Sequence, residues 1–114
     1  MVISAEEMEP KLAATMDAVP ECEGLIYAYT SGEVIIGQTI TEMDLAAIAE
    51  NASTLVQTEI GKPTHKAGVK DVTIDLDKGT IIIVIKADAM ILGLLGVDGK
   101  NSEGLLRRQL KQLL

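Results

Sequence analysis

Cys22 and His65 are the side chains that most readily suggest chemistry, and each occurs once in the chain. A thiolate–imidazole pair can act as an activated nucleophile, and the same two groups can ligate zinc. A zinc site needs four ligands, however, and nothing in the sequence arranges carboxylates around these two. Cys22 falls in PECEG, which reads as a polar turn, and His65 falls in a loop. Asp75-x-Asp77-x-Gly79 begins like a calcium loop, but that pattern needs a third ligand where Gly79 stands and a Glu where Lys86 stands. Gly93, Gly96 and Gly99 are not spaced as a dinucleotide fingerprint and do not open a helix, so they read as structural. Asn51-Ala52-Ser53 matches a glycosylation acceptor but falls inside a predicted helix. The expectation is therefore no catalytic site, no metal and no cofactor.

Lys62, His65, Lys66 and Lys70 make the one basic cluster, in a loop suited to an acidic patch on a partner. The chain as a whole is acidic, with a net charge of −7, which argues against nucleic acid and anionic membranes as partners. Tyr27 and Tyr29 are the only aromatic residues, so there is no stacking platform for single strands either. One cysteine rules out an internal disulfide framework and fits a reducing compartment. The N-terminal residues lack a basic segment followed by an apolar one, so cytoplasm is the expected location.

The elements that position these residues follow from hydropathy. Gly79–Gly99 is the most apolar window, yet Lys86 and Asp88 near its middle each oppose insertion by about 2.5–3.5 kcal/mol. Its β-branched first half predicts strands instead, Thr80–Lys86 and Met90–Val97, with a turn at Ala87–Ala89. Ile81–Ile85 is apolar at every position, as in a strand covered on both faces.

Ser4 and Glu7 have capping-box spacing, and Met8, Leu12, Met16 and Val19 recur at helical intervals up to Pro20. Pro10 conflicts with a regular helix before it, so the regular part is expected to begin near Pro10. Gly24–Thr30 and Glu33–Gln38 predict a hairpin about Ser31-Gly32. Thr41 is the expected cap of a second helix, with Asp44 in its first turn. Leu45, Ile48, Ala49, Ala52, Leu55 and Val56 form its apolar stripe, and Gly61 and Pro63 are expected to stop it. Val72, Ile74 and Leu76 alternate with polar residues as a strand; Asn101 or Ser102 caps a last helix with Leu105, Leu106 and Leu110.

The order α-β-β-α-β-β-β-α with tight turns predicts one α+β domain with a five-stranded, mainly antiparallel sheet between helices. Five strands span about 24 Å, and a helix is about 10 Å wide, so each face needs about two helices. The chain supplies three, which leaves one face about half bare and implies a homodimer.

In order and spacing the chain resembles the Roadblock/dynein light chain family. The resemblance is carried by Leu12, GLIYAYTSGEVI (Gly24–Ile35), DLAAIAENASTLV (Asp44–Val56), VTIDLDKGTIIIVI (Val72–Ile85) and NSEGLLRRQL (Asn101–Leu110), with Gly104 matching a family glycine. The family's hairpin usually carries Asp-Gly where Ser31-Gly32 stands. The likeness implies a profilin-like roadblock fold that dimerises through the third strand and the middle helix, here Val72–Leu76 and Thr41–Ile60. On that expectation Leu45, Ile48, Ala52, Leu55, Val72 and Ile74 line the dimer interface. Glu42, Asn51, Gln57, Glu59, Lys62, Lys66 and Lys70 are the expected contacts to a partner. Family members are non-enzymatic platforms for small Ras-like GTPases or light chains of dynein motors. A small-molecule sensory module of profilin-like fold is the alternative.

Overall fold

The computed structural model describes residues 2–114; Met1 lies outside the described residues. In chain order the elements are α1 (Ala5–Ala18), β1 (Cys22–Tyr29), β2 (Val34–Thr39), α2 (Leu45–Val56), β3 (Asp71–Leu76), β4 (Gly79–Lys86) and β5 (Ala89–Gly96). A 3-10 turn, Val97–Ser102, leads into α3 (Glu103–Leu113). The five strands form one sheet in the order β2-β1-β5-β4-β3, antiparallel at every pairing. The apolar window is the β4–β5 hairpin, with β5 at the centre of the sheet. Among the described residues no helix is long and apolar enough to cross a membrane.

Alternation along β4 splits the core in two. Ile82 and Val84 face α1 and α3, where Met8, Leu12, Leu106 and Leu110 pack with Leu25, Tyr27 and Ile91. Ile83 faces the other way, where Ala49, Ala52 and Val56 of α2 pack with Ile26, Ala28, Met90 and Leu92. Burying each such large aliphatic side chain contributes about 1.5–3 kcal/mol, so both layers stabilise the sheet. The Tyr27 hydroxyl accepts a 2.9 Å bond from the Ile3 N–H, which keeps its polar tip paired. Gly93 lets α3 sit down on the sheet: a Cβ there would lie 2.8 Å from a Leu106 methyl. Gly32 closes the β1–β2 hairpin at φ +102°, a conformation side chains rarely adopt.

Several expected boundaries shift. Helix α1 runs unbroken through Pro10, with Ser4 Oγ capping the Glu7 N–H at 3.2 Å. The cap and the burial of Met8 outweigh the hydrogen bond that Pro10 cannot donate. Asp44, not Thr41, caps α2, through a 3.1 Å bond from the Ala47 N–H. Thr41 stays in the crossing loop, where its carbonyl accepts from the Thr39 hydroxyl at 2.6 Å. Helix α2 ends at Val56, before Gly61: the backbone leaves the helix at its C-cap Gln57, φ −91° and ψ 9°, whose side chain donates to the Thr30 carbonyl at 2.7 Å. Ser102 stands at the start of α3, but its hydroxyl makes no capping bond. Cys22 is not in a turn: it opens β1 at 3% exposure, and burial pushes its thiol pKa up.

Candidate interaction surface

The sheet leaves two free edges, β2 and β3. Residues of β3 alternate between two unlike faces. Its polar face turns toward α3, where Arg107 Nη2 donates to Thr73 Oγ1 at 2.6 Å and Lys111 pairs with Asp71 at 3.5 Å. Lys100, from the 3-10 turn, bonds both Asp75 and Glu103. The Lys100 ammonium holds the Asp75 and Glu103 carboxyls below the usual carboxylate range, and Arg107 adds to the effect on Glu103. Asp75, one of the two residues of the calcium-like pattern, is thus committed to Lys100 and to the Thr80 hydroxyl.

The apolar face of β3 is only partly covered, by α2. Val72 and Ile74 are half-buried, as is Ile81, which pairs with Ile74 in the register, and Leu76 is 54% exposed. Helix α2 lies on this side and comes close to both edge strands, β2 and β3. Ser53 Oγ and Gln57 Nε2 both bond the Thr30 carbonyl at 2.7 Å, and Leu45 fills the space above Gly37 of β2. At about 100° per residue, Ile48 and Leu55 occupy the flank opposite Gln57, which turns them toward β3. Leu55 is 44% exposed. Half-buried Ile48, Val72, Ile74 and Ile81, with exposed Leu55 of α2 and Leu76 of β3, form a partly covered apolar trough beside a free sheet edge.

Of the six residues expected at a dimer interface, Ile48, Val72 and Ile74 are half-buried against the α2-side core, and Leu55 stands exposed on the same flank of α2 as Ile48. Leu45 packs against the same core above Gly37 of β2, and Ala52 is 3% exposed inside that core, leaving a partner nothing to cover there. Leu76 and Ile81 join the trough without having been singled out, although Leu76 shares the alternation of Val72 and Ile74.

The expected partner contacts scatter. Asn51 is exposed on α2, but Glu42 precedes its cap, and Gln57 is engaged with Thr30 and Ser53. Glu59 and Lys62 pair with each other at 3.4 Å beyond the helix. Lys66 and Lys70 continue that exposed loop, in which His65 and Ala67 take φ of 61° and 70°.

A crystal structure of a Roadblock/LC7 domain from Streptomyces avermitilis superposes with a TM-score of 0.81 at 16% identity, over 92% of this chain and 89% of that one. This chain has the Roadblock/LC7 fold. Myxococcus xanthus MglB shares that fold with it, at a TM-score of 0.83 and 12% identity over 97% of this chain and 91% of MglB. Profilin II from Acanthamoeba castellanii is less similar, at a TM-score of 0.58 and 12% identity over 90% and 89% of the two chains. No family model and no curated protein matches the sequence. At these identities the likeness is one of Roadblock fold, and the trough is a property of this chain's own residues.

Proposed function

We propose that this protein is a non-enzymatic platform that pairs with a second copy of itself and binds a small Ras-like GTPase, altering the GTPase's nucleotide state or location. The partly covered trough between α2 and the free β3 edge carries this reading. A two-fold axis perpendicular to the sheet beside β3 would match each trough to its own copy, since isologous contacts use the same patch twice. Burial of Leu55 and Leu76 in each copy would contribute about 1.5–3 kcal/mol per side chain. Backbone pairing between the two β3 strands would satisfy the remaining edge groups.

Pairing would also set the two α2 helices side by side, with Ala47, Asn51 and Thr54 exposed above the joint. That surface is the proposed GTPase contact, and the platform would act by positioning the GTPase's own loops. The test is binding of a purified Ras-like GTPase, loaded with GDP or a non-hydrolysable GTP analogue, to the wild type, Asn51→Arg and Leu55→Asp. Nucleotide-dependent binding that both substitutions weaken is expected. Equal absence of binding in both nucleotide states, or binding indifferent to both substitutions, overturns it.

A further inference from the structure

The charge of this chain is divided along the sheet. Eleven of the 17 carboxylates precede Gly61, against one of the 10 Lys and Arg residues, Lys11. Those residues build α1, β1, β2 and α2, so the β2 end is acidic. Ion pairs of the described residues all lie at or after Glu59, which leaves Glu6, Glu7, Glu9 and Asp17 of α1 without a cationic partner among them.

At this end β2 is an unpaired edge. The Ile40 N–H bonds the Glu23 carbonyl at 2.9 Å, which sets the phase of the ladder. Gln38 and Ile36 then turn their backbone groups to β1, and Gly37 and Thr39 turn theirs outward. The strand is VIIGQT, without a charged residue or proline to guard it, unlike β3 with Asp71 and Asp75. Beside it runs a groove of about 490 Å³ lined by Glu9, Pro10 and Ala13 of α1 and Ile36 and Gln38 of β2. A strand added along Gly37–Thr39 would drop alternate side chains into that groove, past the Glu9 carboxylate.

We propose that the β2 edge receives an extended segment of a partner protein that alternates lysine or arginine with apolar residues and adds to the sheet as a sixth strand. Its cations project into the groove and meet the Glu9 carboxylate, while its apolar residues project from the other face toward Leu45 above Gly37. A second copy is the wrong occupant, because two acidic ends would face each other and repel. This edge is at the opposite end of the sheet from β3, so the outcome is independent of the self-pairing reading.

The experiment titrates the ¹⁵N-labelled protein with a short peptide alternating valine and lysine, and separately with one alternating valine and glutamate. The lysine peptide is expected to shift the amides of Ile36–Thr39 and Glu9–Ala13, with slowed hydrogen exchange at Gly37 and Thr39. Salt should weaken it, Glu9→Lys should weaken it roughly threefold, and Thr39→Pro, which deletes an outward N–H, should abolish it while thermal unfolding stays cooperative. Equal binding of both peptides, shifts at β3 instead, or no binding overturns the proposal. Concentration-dependent shifts at β2 without any peptide overturn it too, by placing a second copy there.

Discussion

Arg107 donates to Thr73 at 2.6 Å across 34 positions of sequence, fastening the free edge strand β3 to α3. The same guanidinium bonds Glu103 at 3.0 Å, and Lys100 of the 3-10 turn bonds Glu103 as well, so strand, helix and turn share one polar clamp. Arg107→Ala is expected to destabilise the chain by about 0.5–1.5 kcal/mol. Amide exchange should quicken in β3 before the rest of the sheet, and unchanged exchange there would remove the clamp.

Acid should open the same clamp. Asp75 and Glu103 have carboxyl pKa values lowered in the folded chain, first by Lys100. The unfolded chain therefore binds more protons in that range, and the stabilisation is present above the usual carboxylate values and lost as pH falls through the folded ones. The melting temperature should drop below about pH 4, and Lys100→Met should flatten that drop. An identical pH profile in the variant would contradict the assignment.

Gly93 sits under α3, with an added Cβ 2.8 Å from Leu106 and 3.1 Å from Leu110. Gly93→Ala should cost about 1–3 kcal/mol by overpacking, read from urea unfolding. A change within a few tenths would show that α3 can lift without cost.

Pro10 lies inside α1 and leaves the Glu6 carbonyl without its usual donor. Pro10→Ala should stabilise the chain by about 1–3 kcal/mol, with little change in circular dichroism, because the helix already extends back to Ala5. A clear rise in helical signal would mean that the helix begins at Pro10 after all.

What the sequence reveals depends on how local the cause is. The unbroken apolar run Ile81–Ile85 forces cover on both sheet faces, and counting helices against strands exposes the half-bare face. Ile48, Leu55, Val72 and Ile74 are legible because alternation and helical periodicity mark apolar positions directly. Periodicity does not say which flank of α2 turns to β3. That is fixed by Gln57 and Ser53 reaching Thr30, 27 and 23 positions away. The same contact engages the Gln57 side chain that was expected to face a partner. Cys22 was hidden by its polar neighbours, since β1 begins two residues before its apolar stretch.

The mass in solution decides whether the trough between α2 and β3 takes a second copy. Light scattering at micromolar concentration should give twice the 12.1 kDa chain mass for the wild type. Leu55→Asp and Ile74→Asp should each give the single-chain mass while keeping cooperative unfolding. A wild type that scatters as a single chain across that range would contradict self-pairing through the trough, as would a dimer that survives both substitutions.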